Sequence, residues 1–264
     1  MAAALQDPGT VGDAGGGSGS ALAALRESGF ARLAPPALAD FLGVDLAALA
    51  ELRPSWERLP ADGYLRDGGR YRRRRHGSYV LELADGRIER PDRRAHWQPV
   101  DYNALHGGFE RWFEPIEAAG EANPAWVAAL AGFGRLFARL RPVARWYIES
   151  HQFRIDTTGG IGRPTPEGAH RDGVDFVVIV MVGRHNIRGG ESRVFDAHGP
   201  RGLRFTVTEP WSALLIDDAR VIHETTPIQP AEDGPGWRDT LVITYRAHGF
   251  LSPVASPPAG NTEP

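Results

Sequence analysis

Apolar residues change their period near residue 145. Upstream they recur at helical intervals. Asn123-Pro124 supplies an N-cap and a first-turn proline, and Trp126, Leu130, Phe133, Phe137 and Leu140 follow at spacings of 4, 3, 4 and 3 residues, one face of a helix. Arg141-Pro142 stops it. Residues 21–29 and 36–52 carry alanine- and leucine-rich helical periodicity, the second behind Pro35-Pro36. Arg70 to Leu83 alternates as a long strand or strand pair, with a turn at Asp85-Gly86. Beyond Arg145 the pattern is one of strands: Trp146 to Ile155, Phe176 to Val182, Ser192 to Phe195, Leu203 to Val207, Ala213 to Ile216, Val221 to Thr225 and Leu241 to Arg246. Helices followed by strands, with no internal repeat, predict a mainly β fold with flanking helices: a double-stranded β-helix (jelly roll, cupin-like) with the N-terminal helices packed outside.

The ends read differently. Residues 1–20, with Gly15-Gly-Gly-Ser-Gly-Ser20, are expected to form a disordered tail, as is 252–264 with Pro253, Pro257 and Pro258. A single domain over 21–251, with its jelly-roll core at about 145–248, lies between. At 264 residues and 42% hydrophobic content the chain can bury a substantial core. A net charge of −3 gives no general basic field, which disfavours nucleic acid as a partner. No cysteine is present, so disulfides and thiolate metal sites are excluded. No apolar run approaches the roughly 20 residues that span a bilayer, and Met1-Ala-Ala-Ala-Leu-Gln-Asp7 lacks the basic start of a secretory signal. A cytoplasmic location is the resulting expectation. The glycine run has no Gly-Lys-Ser/Thr ending and is not a phosphate loop.

The chemistry concentrates after residue 165. In Pro166-Glu-Gly-Ala-His170-Arg-Asp172-Gly the histidine and aspartate are two apart, so on an extended segment both side chains leave one face. His223 follows 53 residues on, at the end of Leu214-Leu-Ile-Asp-Asp-Ala-Arg-Val-Ile-His223. Two imidazoles and one carboxylate form a facial triad that leaves three positions of an octahedral metal open, as non-haem Fe(II) oxygenases require. Arg238-Asp-Thr240 opens the next strand. A guanidinium with a hydroxyl two residues along suits a bidentate carboxylate, the need of the distal end of 2-oxoglutarate.

With these motifs on the page the chain resembles bacterial 2-oxoglutarate/Fe(II) dioxygenases related to L-isoleucine hydroxylase, whose members hydroxylate aliphatic amino acids. The likeness rests on Glu167-Gly-Ala-His-Arg-Asp-Gly-Val-Asp-Phe176, Gly189-Gly-Glu-Ser192, Asp217-Asp-Ala-Arg-Val-Ile-His223 with Thr226-Pro227, and Arg238-Asp-Thr240, and extends to Arg70-Tyr-Arg-Arg-Arg-Arg-His-Gly77. The resemblance implies His170, Asp172 and His223 as metal ligands and catalytic centre, Arg238 as cosubstrate anchor with Thr240 beside it, and Fe(II), 2-oxoglutarate and O₂ as cofactor and cosubstrates. It implies a small-molecule substrate, a free or N-substituted L-amino acid, and leaves a homodimer open.

Other residues have competing readings. Arg72 to Arg75 reads as a localisation patch, a solvated strand face, or alternating arginines of which one enters the pocket to hold a substrate carboxylate; Arg75 is the residue chosen for that role. Tyr147, His151, Gln152 and Arg154 precede the metal segment, with Gln152 a cosubstrate candidate and Tyr147 and Arg154 substrate candidates, against plain strand packing or surface contact. Asp217 and Asp218 either orient the His223 imidazole or cap a turn. His170-Arg-Asp172 imitates a kinase catalytic loop, but no glycine-rich loop with a lysine strand precedes it and no D-F-G follows. The alternatives to amino-acid hydroxylation are the same chemistry on a larger metabolite or peptide, a non-catalytic jelly-roll binding module, for which Arg238 has no use, and a zinc hydrolase, which lacks an evident general base.

Overall fold

Phe176-Val-Val-Ile-Val-Met-Val182 and Leu241-Val-Ile-Thr-Tyr245 are rich in β-branched and aromatic residues, which suit a pleated, half-buried surface. They form the middle of a large sheet in a computed structural model that describes residues 4–6, 17–103 and 105–253. In chain order the strands are β1 (Ala4–Gln6), β2 (Phe30–Leu33), β3 (Arg72–Glu82), β4 (Ile88–Glu89), β5 (Arg145–Asp156), β6 (Phe176–His185), β7 (Ile187–Gly189), β8 (Ser192–Asp196), β9 (Arg201–Phe205), β10 (Ala213–Asp217), β11 (Val221–Thr225), β12 (Ile228–Pro230) and β13 (Trp237–Arg246). The helices are α1 (Gly17–Ser28), α2 (Pro35–Leu42), α3 (Leu46–Ala50), α4 (Ala118–Glu121) and α5 (Pro124–Ala138), with a 3₁₀ turn at Arg53–Arg58.

Seven strands form the major sheet in the order β2-β10-β6-β13-β5-β3-β4; β1-β9-β8-β11 form the minor sheet, and β7 pairs with β12. Two facing sheets with helices on one side only are the expected double-stranded β-helix. Alternation decides the faces of the major sheet. Ile148, Val178, Val180, Leu215, Leu241, Ile243 and Tyr245 bury against α1, α2 and α5, while Val177, Leu214 and Ile216 meet Val194, Leu203 and Val221 of the minor sheet.

Helix α5 is the main buttress. Asn123 caps it by accepting the Ala125 N–H at 2.8 Å, and Phe137 stacks on Phe176 of β6 with centroids 4.3 Å apart and meets Tyr245 of β13 edge-on. Two polar tips are spent on the helix backbone: Tyr245 donates to Leu130 O at 2.9 Å and Trp146 to Gly134 O at 2.9 Å.

Three expectations differ from what is observed. The stretch 36–52 is not one helix, because Gly43 adopts φ 67° and closes α2 with its N–H on the Ala39 and Asp40 carbonyls, the left-handed cap that glycine favours. Helix α1 begins at Gly17, inside the stretch expected to be a tail, and Ala4–Gln6 pairs in parallel with β9; the rest of 1–20, and 254–264, lie outside the described residues. Strand β2 was absent from the sequence reading, since four residues carry too little alternation to signal one. No helix among the described residues is long and apolar enough to cross a membrane.

Phe137→Ala should cost about 3–5 kcal/mol, the range for a large buried aromatic removed from a stack, measured as a shift of the urea midpoint with unchanged slope.

Candidate active site

Backbone pairing brings the two histidines together. His170 and His223 form an isolated antiparallel bridge, His170 N donating to His223 O at 3.0 Å and His223 N to His170 O at 2.9 Å. Directly opposed residues project to one face, and the rings lie 4.7 Å apart. Asp172 sits in the bend that follows, with its two carboxylate oxygens 3.8 Å from His170 Nε2 and 3.7 Å from His223 Nε2. The three donor atoms lie within 4.8 Å of one another. His170 donates from Nδ1 to Gly168 O at 2.9 Å, which leaves Nε2 with its lone pair toward the other donors. His223 is held neutral, well below its ordinary value, by burial and by the neighbouring His170. Burial acts the same way on His170, but Asp172 and Glu167 outweigh it and raise that imidazole, so a cation at this point replaces a favoured proton.

The segment carrying Asp172 is pinned by one carboxylate. Asp218 accepts the N–H groups of Asp172, Gly173 and Val174 at 2.9, 2.8 and 3.1 Å; burial and the nearby Asp172 push it up to about 7. It therefore orients Asp172 by holding its loop, and His223 Nδ1 makes no hydrogen bond to it. Gly173 adopts φ 76° with the Tyr102 ring 2.6 Å from where a Cβ would stand, so no other residue fits this turn. Gln98 donates to Asp172 Oδ1 at 3.4 Å.

Arg238 and Thr240 line the same cavity as the triad. A β-bulge at Asp239/Thr240 shifts β13 against β6 where Arg238 turns inward. Arg238 is 5% exposed and its Nε has no partner; burial, with Arg184 adding to it, pushes it down to about 10. An uncompensated buried guanidinium is costly, and a carboxylate is what this position lacks. Two imidazoles and a carboxylate with open coordination positions, facing a cation that needs an anion, fit Fe(II) and 2-oxoglutarate.

Four other candidates are placed elsewhere. Arg75 pairs with Gln152 across the β3–β5 ladder, and both turn to the outer face: Arg75 donates to Pro115 O at 2.9 Å and lies 3.5 Å from Glu117, and Gln152 donates to Ser55 at 2.7 Å. Arg154 shares that face, bound to Glu57 and Asp239 at 2.7 Å each. Tyr147 meets Phe250 edge-on at the far end of β5. None of the four lines the cavity.

The cavity wall instead carries Arg72 and Arg74 from β3, Glu149 and His151 from β5, Glu167 beside His170, and His96, Gln98 and Arg111 from the connection between β4 and α4. His96 and Arg111 hold that connection closed through a two-way backbone bridge at 2.9 and 3.0 Å. Imidazole nitrogens of His76, His96 and His151 also lie within 4.8 Å of one another, but two of the three rings are already hydrogen-bonded. His76 donates to Glu149 at 3.0 Å, His96 Nδ1 faces the other Glu149 oxygen at 3.4 Å, and Arg74 donates to His151 Nδ1 at 2.7 Å. Burial lowers all three imidazoles, His96 to about 3. A guanidinium against the trio repels a cation, so it is a hydrogen-bonded scaffold.

The jelly roll and the triad define a non-haem iron oxygenase, and the comparisons agree. The pattern that defines the 2OG-Fe dioxygenase family matches residues 53–244, and the chain belongs to that family. A bsmA homolog from Methylobium petroleophilum PM1 is 55% identical over 90% of this chain and 96% of its own, with a TM-score of 0.87. The fold is shared with IDO from Bacillus thuringiensis (15% identity, 88% and 96% coverage, TM-score 0.72) and with the Fe(II)/α-ketoglutarate-dependent dioxygenase TqaL (19%, 87% and 89%, 0.64). No curated protein matches the chain. The family implies Fe(II), 2-oxoglutarate and O₂.

Removing Asp218 frees three N–H groups around a ligand. Asp218→Ala should weaken Fe(II) binding about 10–100-fold, the usual cost of losing a partner that orients a ligand, read by anaerobic metal titration. His223→Ala, which removes a ligand outright, should abolish the metal-induced rise in melting temperature.

Proposed function

We propose that the protein hydroxylates an aliphatic C–H bond of a free or N-substituted L-amino acid, within the amino-acid hydroxylase branch that the motifs resemble. The observation that carries this reading is a single cavity holding the His170–Asp172–His223 triad, Arg238 with its partnerless Nε, and a second set of buried arginines. Fe(II) bound with 2-oxoglutarate and O₂ supplies the oxidation, R–H becoming R–OH as 2-oxoglutarate becomes succinate and CO₂. The chain supplies the rest. His170, Asp172 and His223 hold the metal with coordination positions free; Arg238, with the Thr240 hydroxyl beside it, binds the distal carboxylate of the cosubstrate. The connection carrying Gln98 and Arg111 lines the cavity beside the triad, and each charge contact in so buried a wall is stronger than it would be in water.

Anaerobic addition of Fe(II) and 2-oxoglutarate should produce the visible charge-transfer band of the chelate, and an aliphatic L-amino acid should then stimulate succinate formation in air. A band without stimulation by any common amino acid points to a larger substrate; no band sinks the oxygenase reading. Arg238→Ala should weaken 2-oxoglutarate binding by about 2–5 kcal/mol, roughly thirtyfold or more, seen as a right-shifted titration of that band.

A further inference from the structure

Arg238 and Thr240 reach the cavity from the irregular stretch of β13. Between Asp239 and Thr240 the register against β6 skips a residue, with Gly183 facing Asp239 and Met181 facing Thr240. A bulge disrupts the ladder and lets a strand bend, so β6 alone does not fix where these two side chains point. Against β5 the register is unbroken: Arg238 stands opposite Ile155, Asp239 opposite Arg154 and Thr240 opposite Phe153. The stretch that carries the cosubstrate residues is therefore held from the β5 side and from behind.

Three consecutive residues of the 3₁₀ turn supply that hold. Ser55 accepts from Gln152 at 2.7 Å. Trp56, fully buried, donates its indole N–H to two opposed backbone carbonyls, Phe153 O at 3.2 Å and Thr240 O at 3.3 Å. Glu57 accepts from Arg154 through both oxygens at 2.7 Å each. Arg154 in turn donates to both oxygens of the fully buried Asp239, at 2.8 and 2.7 Å, and lies over the Trp237 ring, 4.7 Å from its centroid. One planar guanidinium thus grips two carboxylates bidentately, a geometry that lysine cannot reproduce.

For sheet stability alone this is a poor choice, because a buried ion pair is often no more stabilising than an apolar pair of the same size. What it adds is orientation. Two forks leave Asp239 one direction to point, and Asp239 stands between the two residues assigned to the cosubstrate.

Resting on the assignment of Arg238 and Thr240 made above, we propose that Arg154 and Asp239, backed by Trp56 and Glu57, are positioning residues for the cosubstrate. They fix how far Arg238 stands from the triad, and so the length of 2-oxo diacid that the site accepts. None of the four lines the cavity; they act through Arg238 and Thr240. A displacement of about 1 Å in a positioned contact can cost on the order of a hundredfold, so a loosened network should be felt at the cosubstrate. One methylene separates 2-oxoglutarate from 2-oxoadipate, and the choice between them reports how firmly Arg238 is held.

The test uses the full-length protein loaded with Mn(II), with 2-oxoglutarate and 2-oxoadipate titrated by calorimetry. Wild-type protein should prefer 2-oxoglutarate by about tenfold or more. Arg154→Lys, which keeps the charge and loses the fork, should weaken 2-oxoglutarate by about tenfold or more and 2-oxoadipate by less than about threefold, with Mn(II) affinity within about twofold of wild type. Trp56→Phe keeps a ring and loses the N–H; it should narrow the preference in the same direction by about threefold. Glu57→Gln should do likewise, and its side chain is 61% exposed, so the core is left intact. Folded variants that bind both diacids as wild type does overturn the proposal. Equal weakening of both diacids also overturns it, as does a parallel fall in Mn(II) affinity, because the network then only holds the sheet together. If Arg154→Lys does not fold, Trp56→Phe and Glu57→Gln decide by the same readings. Wild-type protein that binds neither diacid is a different failure: it removes the cosubstrate assignment itself, and this inference with it.

Discussion

The side-chain alternation of the major sheet is the constraint on which both fold and site depend. Its outer face is committed to the helices through Val178, Val180, Ile243 and Tyr245, so every intervening position must point between the two sheets. Toward β1 to β11 that interior is apolar, filled by Val177, Leu214 and Ile216. Toward β13, β5 and β3 the same face carries Arg238, Thr240, His151, Glu149, Arg74 and Arg72. The helices therefore select the cavity residues without touching them. A one-residue slip between β3 and β5 would bury Arg73 and Arg75 and expose Arg74, and burial of Tyr79 and Leu81 under α5 opposes that slip.

Burial of so many charges is tolerated because most are satisfied by neutral donors and local pairs. Glu149 is held well below the ordinary carboxylate range: burial alone would raise it, but His96 and His76 reverse the direction. His151 stays neutral and accepts from Arg74. The imidazoles thus serve as buried hydrogen-bonding spacers on one wall, whereas on the facing wall His170 and His223 turn free nitrogens toward Asp172. The same residue type does different work according to what its second nitrogen meets.

Much of this was legible from the chain. The triad could be read because His170, Asp172 and His223 sit next to strong strand signals and because their order is specific; the jelly roll followed from the change of period at residue 145. Arg75 was the wrong choice of neighbour, yet the correcting signal was present: Tyr79 and Leu81 are the apolar positions of β3, so odd-numbered residues share the helix-facing side and Arg72, Arg74 and His76 share the other. Gln152 and Arg154 fail by the same parity, since Ile148 on β5 belongs to the helix-facing core. Gln98 and Arg111 had no such signal. They stand in a connection without periodicity, positioned by a single backbone bridge between His96 and Arg111 that no local pattern announces.

Charge pairing links the two halves of the cavity. In the proposed function Asp172 would answer the metal and Arg238 the cosubstrate, while within the protein Arg72 answers Asp62 and Arg94 answers Glu149. Arg74 is acted on by Asp62 and Glu149, and Arg111 by Asp62, Glu167 and Glu149, so the remaining charges of the cavity wall balance one another at longer range, and in a low-dielectric enclosure such pairs count for far more than they would in water.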